Sequence, residues 1–135
     1  MARKNRQKTL YLVFNHTFTA AQEEDARSSL GVTQVVNLPA ELQDLWSNIP
    51  PDLTSLSEYL ASIRAWLVEH AAPGDYILIQ GDFGATYLIV DFALRNGLVP
   101  VYSTTTREAT ETIQPDGTVE LMHHFKHQIF RKYGG

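Results

Sequence analysis

Residues Tyr76-Ile77-Leu78-Ile79-Gln80-Gly81-Asp82-Phe83-Gly84-Ala85-Thr86 restrict the possible folds more than any other part of the chain. The run Tyr76 to Ile79 is short, continuous, apolar and rich in β-branched residues, which suits a parallel strand covered on both faces. It runs into a glycine-punctuated turn that opens a helix. Gly81 and Gly84 are expected to allow positive φ and to let a ligand approach the backbone closely. The helix beyond them aims unpaired N–H groups and the positive end of its dipole at the turn, which favours an anion. A phosphate- or nucleotide-sized ligand is the expectation.

The rest of the chain sets the scaffold for this strand. Its 135 residues predict one domain spanning 1–135, large enough to bury roughly two-thirds of its unfolded surface. Cysteine is absent, which excludes disulfides and thiolate metal sites and makes a reducing cytoplasm the expected setting. No apolar run approaches the ~20 residues of a membrane span, and no apolar segment follows the basic start as in a secretory signal. Arg3, Lys4, Arg6 and Lys8 make residues 1–9 a basic tail, read as solvated and frayed. Between that tail and Lys126, fifteen acids face only Arg27, Arg64, Arg95 and Arg107, a formal balance of −11. A grip on long nucleic acid needs a basic face, so the acidic body argues against one. A small phosphate ligand in a local pocket is compatible with it.

Leu10 to Phe14 reads as the first strand, left by the loop Asn15-His16-Thr17. Thr19 with Gln22 resembles a capping box, so Gln22 to Ser29 is predicted as an acidic, exposed helix ending at Gly31. Val32 to Leu38 is a second strand, and Pro39 starts a short helix with Leu42, Leu45 and Trp46. After the break at Pro50-Pro51, the helical spacing of Leu53, Leu56, Leu60, Ile63, Leu67 and Val68 predicts a helix over about 54–69. Tyr76 to Gln80 is strand three, followed by a helix over about 85–95. Val99 to Tyr102 is strand four, and Ser103-Thr104-Thr105-Thr106-Arg107 is its polar exit. Thr110 to Ile113 and Val119 onward flank the turn signal Pro115-Asp116-Gly117, predicting a β-hairpin in a C-terminal extension over 106–135.

Alternating strands and helices predict an α/β, Rossmann-like three-layer sandwich. The expected sheet is mostly parallel, of order 2-1-3-4, with the hairpin at one edge. In such sheets the ligand sits beyond the carboxyl ends of the strands, where the strand order reverses. Here that point lies between strands one and three, where Asn15-His16-Thr17 and Gln80 to Thr86 meet, with Ser103 to Arg107 alongside.

Several segments together resemble a known family: Leu38-Pro39 through Trp46-Ser47-Asn48-Ile49-Pro50-Pro51, Gln80 to Thr86, Gly97-Leu98-Val99-Pro100-Val101-Tyr102-Ser103-Thr104-Thr105, and Phe125-Lys126-His127 with Phe130-Arg131-Lys132-Tyr133. On these the chain resembles the small stand-alone CRISPR-associated proteins of the Csx group, with a CARF-like (CRISPR-associated Rossmann) fold, from about residue 10 onward. The resemblance implies a homodimeric, metal-independent ring nuclease of type III CRISPR defence that binds cyclic tetra-adenylate and cleaves it to linear products, with no cofactor. A twofold dimer matches a ring of four identical nucleotides, which itself contains a twofold axis. A non-catalytic protein that sequesters the ring, or an unrelated nucleotide-binding module, would use the same cradle.

Ring opening of this kind uses a ribose 2′-hydroxyl as the nucleophile, so the protein must align oxygens, stabilise phosphate charge and manage protons. His16 follows strand one at the switch point and is the candidate acid, base or phosphate donor; a hydrogen bond to a loop carbonyl is its structural alternative. Arg107 and Lys126 are the candidate phosphate cations, or solvated charges. Asn15, Gln80, Gly81, Gly84, Thr86, Ser103, Thr104 and Thr105 are candidate ligand contacts; the alternative for the two glycines is close helix–strand packing alone, and for the hydroxyl run from Ser103 a threonine-rich strand end. Asp82 accepts hydrogen bonds from adenine or ribose, or else caps the helix. Phe83 stacks on adenine or belongs to the core. His123, His124 and His127 invite a metal reading, but positions 123 and 127 of a strand stand about 13 Å apart, so no metal site is expected. Asp82-Phe83-Gly84 invites a kinase comparison that a chain of this length does not sustain.

Overall fold

The computed structural model describes residues 7–135; Arg3, Lys4 and Arg6 of the expected tail lie outside the described residues. Five strands form one sheet: β1 (Lys8–Phe14), β2 (Val32–Asn37), β3 (Tyr76–Gln80), β4 (Val99–Ile113) and β5 (Val119–Lys132). Their order is β2-β1-β3-β4-β5. The first four are parallel, and β5 runs antiparallel along β4. The expected order 2-1-3-4 and the reversal between strands one and three are therefore present. Phe14 pairs with Gln80 at the carboxyl ends of β1 and β3, so both strands release their loops at the same level.

Strand four differs from its reading. It does not stop at Tyr102 but continues to Ile113, and β5 pairs with it from Val101–Lys132 out to Ile113–Val119. The run Ser103 to Arg107 is thus ladder rather than loop. Consecutive β-branched threonines fit a pleated strand, and β5 supplies their backbone partners. Beyond residue 105 the pair leaves the body as a two-stranded arm. A register shift between Ser103 and Thr105 sets Phe130 and His127 on one face, with Gln128 and Ile129 as the bulge between them.

One helix covers one face of the sheet and three cover the other. α1 (Ala20–Asp25) starts with the expected capping box: the Thr19 hydroxyl accepts from the Gln22 N–H, and the Gln22 side chain accepts from the Thr19 N–H at 2.8 Å. It runs on as a π-helical turn, Ala26–Leu30, closed by Gly31 at φ +73°, a conformation that favours glycine. Contrary to expectation this helix is not simply exposed: Gln22 and Ala26 are buried. On the other face lie α2 (Ala40–Ser47), α3 (Ala61–His70) and α4 (Phe83–Arg95). α3 is shorter than the spacing predicted. Residues before Leu60 form turns, consistent with Thr54, Ser55 and Ser57, whose side chains compete for backbone groups. Leu60, Ile63 and Leu67 are fully buried, while Leu53 and Val68 are exposed.

The core follows from this layering. Trp46, Leu60, Ile63, Leu67, Ile77, Ile79 and Ile89 pack between the sheet and α2–α4. Leu10, Leu12, Phe14, Ala26, Leu78 and Val101 fill the α1 side. Each such buried side chain contributes roughly 1.5–3 kcal/mol relative to exposure. Tyr133 anchors the end of β5 by donating to the Ile79 carbonyl at 2.6 Å.

Candidate functional site

The carboxyl ends of β1 and β3, with β4 beside them at Tyr102 to Thr105, open on a cavity on each face of the sheet. The larger, about 610 Å³, lies on the α1 side and is lined by residues that include Phe14, His16, Gln22, Gln80, Ser103 and Lys126. The smaller, about 390 Å³, lies on the α4 side against Gly81, Phe83, Thr86, Tyr102 and Tyr133. Gln80 touches both. The single cradle expected from Gln80 to Thr86 is thus divided by the sheet, because consecutive residues leaving a strand point to opposite faces.

Within the larger cavity stands a chain of hydrogen bonds absent from the sequence reading. The Ser103 hydroxyl lies 2.5 Å from His127 Nδ1, and His127 Nε2 lies 2.7 Å from Asp25 Oδ2. A carboxylate only accepts, so Nε2 carries a proton, and in the neutral imidazole Nδ1 then accepts from the serine. Gln22 Nε2 donates to the same hydroxyl at 3.3 Å, and Gln80 Oε1 accepts from the Ser103 N–H at 2.8 Å. The His127 side chain is only 6% exposed, so its orientation is set by packing, with the Phe130 ring 4.6 Å away between centroids. Partial burial acts to raise the Asp25 carboxyl pKa. Hydrogen bonds from Ser29 and His127, with the imidazole's charge, outweigh that and hold it below the ordinary carboxylate value.

Tertiary structure alone makes this cluster. Asp25 sits where α1 passes into its π-helical turn, and His127 is 102 residues away on β5. The bulge in β5 aims the imidazole at Ser103. The histidine run was legible only as a metal question. Its members diverge: His127 joins Asp25 and Ser103, whereas His124 is 3.0 Å from the Thr110 hydroxyl on the opposite face of the arm. Gln22 was visible as a capping residue, and nothing in that motif announces a second bond to Ser103.

The expected site residues divide accordingly. His16, Gln80, Ser103, Thr105 and Lys126 line the larger cavity. His16 also sits edge-on to the Phe14 ring, 5.5 Å between centroids. Asn15 is exposed and lines neither cavity. Thr104 is taken up by the bulge, accepting from the Ile129 N–H at 3.1 Å and donating to the Ile129 carbonyl at 3.2 Å. Arg107 lies on the arm opposite Phe125 and lines neither cavity. Strand four carries it there by continuing past Tyr102.

For Gly81 the packing alternative holds, and the expected positive φ does not. Neither Gly81 nor Gly84 has positive φ. A Cβ on Gly81 would stand 2.9 Å from the Trp46 indole nitrogen. That nitrogen donates to the Gln80 carbonyl at 3.0 Å, so the missing side chain admits tryptophan rather than ligand. Asp82 is the N-cap of α4, accepting from the Ala85 N–H at 3.0 Å. Gly84 lies in the first turn of that helix. Phe83 is 95% exposed, which removes the core alternative and leaves its ring at the rim of the smaller cavity. The Thr86 hydroxyl, buried beside it, has no hydrogen-bond partner among the described residues.

The fold and site define an α/β protein with a cavity, lined by both polar and apolar side chains, at the reversal point of a mostly parallel sheet. The chain belongs to the uncharacterized protein MJ1673 family, whose profile matches residues 8–131. It is 51% identical over 124 residues to the uncharacterized protein MJ1673 of Methanocaldococcus jannaschii, an alignment covering 92% of this chain and 95% of the relative. No solved structure matches the chain. Among the described residues no helix is long and apolar enough to cross a membrane.

Proposed function

We propose that this protein is a ring nuclease with a CARF-like fold, which binds cyclic tetra-adenylate as a homodimer in the cytoplasm and opens the ring by 2′-hydroxyl attack. The observation that carries the reading is the lining of the larger cavity. It holds one ammonium, Lys126, two imidazoles, His16 and His127, and several hydroxyls, with no carboxylate, inside a body of formal charge −11. A phosphodiester is the ligand that such a local exception suits. The family resemblance of the Gln80–Thr86 and Val99–Thr105 segments supplies the choice of a cyclic oligoadenylate.

The roles follow from the hydrogen bonds. Ser103 takes the proton of the attacking ribose hydroxyl while passing its own to His127 Nδ1. Asp25 stabilises the resulting imidazolium. The 2′-oxygen forms a bond to phosphorus, the bond to the 5′-oxygen breaks, and His16 supplies the proton that oxygen needs. The ring opens with a 2′,3′-cyclic phosphate at one end and a 5′-hydroxyl at the other. Lys126 balances the charge on the phosphate oxygens. The smaller cavity suits an adenine, with Phe83 for stacking and the Thr86 hydroxyl for an edge contact. One 610 Å³ cavity falls within the ~300–1,000 Å³ of small-ligand sites, room for part of a four-nucleotide ring.

Incubation with cyclic tetra-adenylate in EDTA, followed by chromatography of the products, tests the reading. Linear products ending in a cyclic phosphate are expected. His127→Gln is expected to slow cleavage about 100-fold or more, as loss of a general base does, with ring affinity kept within a few-fold. An intact ring held tightly by wild type would make the protein a sequestering one, and equal cleavage by His127→Gln would remove the relay.

A further inference from the structure

The arm made by the outer halves of β4 and β5 is out of keeping with a protein that ends at its own surface. Two strands alone are at best marginally stable in water, yet the pair extends from Thr105–His127 to Ile113–Val119 with no third strand among the described residues. That is about 26 Å at the usual rise per residue. One face of it is apolar: Ile113, Val119, Leu121 and Phe125 are each more than half exposed. By alternation these share the face of Ser103, Thr105 and His127. The stripe is therefore continuous with the larger cavity, which Phe125 and His127 also line.

The charges on that face are symmetric about its middle. Arg107 and Glu111 flank Ala109, whose cross-strand neighbour is His123. Neither charge has an ion-pair partner among the described residues. A twofold axis in the plane of the face, running along the Ala109–His123 rung, would bring Arg107 of one copy onto Glu111 of the other, twice. It would bring Phe125 onto Leu121, also twice. An isologous interface requires such exchange of residue i for residue j. The same operation carries the rung Ile113–Val119 onto the rung Thr105–His127 of the second copy.

We infer that the occupant of this apolar face is a second copy of the chain, packed arm against arm. Each arm tip then places Ile113 and Val119 over the mouth of the other subunit's larger cavity. The contact itself is independent of the chemistry proposed above. Its consequence, a partner-built wall that excludes water from His127, rests on that reading. Arg107 thereby acquires a role in assembly in place of the phosphate contact expected of it.

The test is the oligomeric state of the full chain without ligand, by sedimentation equilibrium. Wild type should be a dimer. Arg107→Glu and Glu111→Arg should each raise the dimer dissociation constant tenfold or more, and the double variant should return it towards wild type, since the swap restores both pairs. All four sites of change are exposed, and circular dichroism checks that the fold persists. The chain lacks cysteine, so Ala109→Cys provides a second measurement. A short bismaleimide should join two Ala109→Cys subunits and fail to join Thr110→Cys subunits, which present the opposite face. A monomer at all concentrations, a dimer unmoved by both single reversals, a double variant weaker than either single one, or crosslinking through position 110 alone would each overturn the inference. A monomer would also remove the homodimer from the proposed function, but none of these outcomes bears on whether the ring is cleaved, so failure here is distinguishable from failure of the nuclease reading.

Discussion

Gly81 and Gly84, three residues apart in one turn, are expected to respond to alanine with opposite signs. At Gly81 the new methyl would lie 2.9–3.0 Å from three atoms of the Trp46 indole, closer than carbon atoms pack. Trp46 is buried to 1% exposure and is fixed by its bond to the Gln80 carbonyl, so it cannot swing into solvent. Overpacking of this kind costs about 1–3 kcal/mol, and displacing the indole from its acceptor adds about 1 kcal/mol or more. Gly81→Ala should therefore lose about 2–4 kcal/mol, read as a fall in the urea midpoint with unchanged slope. At Gly84 the nearest atoms are Asp82 Oδ2 at 3.5 Å and Leu56 Cδ1 at 3.7 Å, ordinary contacts, and the residue is helical. Gly84→Ala should gain about 0.4–1 kcal/mol by restricting the unfolded chain. Wild-type stability in Gly81→Ala, or a loss beyond about 1 kcal/mol in Gly84→Ala, would refute the packing argument.

Two further outcomes probe the larger cavity. Asp25 has a depressed pKa in the folded state, so its contribution to stability is present above the ordinary carboxylate value of 3.8 and is lost as pH falls through the lower folded value. The gap in urea midpoint between wild type and Asp25→Asn should be constant near neutrality and narrow below about pH 4; a gap that widens in acid would refute the assignment. Lys126→Ala should weaken ring binding and lower the slope of log affinity against log salt by about one. Arg107→Ala, measured where the protein is fully dimeric, should leave that slope alone; an equal change in both would return Arg107 to the phosphate.

Much of the scaffold was legible before any coordinates. The apolar run at Tyr76–Gln80, the Thr19–Gln22 capping box and the stops at Gly31 and Asn96-Gly97 report local preferences, and β3, α1, Gly31 and the end of α4 appear where they predict. The strand order followed from alternation of elements alone. The errors fell where a non-local partner decides. Ser103 to Arg107 reads either as a polar exit or as a threonine-rich strand end, and only β5 laid beside it decides for the strand. Val68 fits a helical repeat, yet α3 turns it to solvent because the helix face against the sheet is taken by Ile63, Trp66 and Leu67. Gly81 resembles a ligand-facing glycine, and only the position of Trp46, 35 residues earlier in the chain, shows what occupies the space.

The sequence by itself determined that a polar site would form beyond β1 and β3, because periodicity and turn chemistry are local and topology converts them into a switch point. It also placed His16, Gln80, Ser103 and Lys126 around that site. Tertiary structure alone decided which groups share a proton path. Asp25, Ser103 and His127 come from three elements, and their distances of 2.5 Å and 2.7 Å depend on a π-helical turn, a strand that does not stop and a bulge in its neighbour. No spacing in the chain encodes that meeting, since hydrogen bonds across such separations are set by how the elements pack.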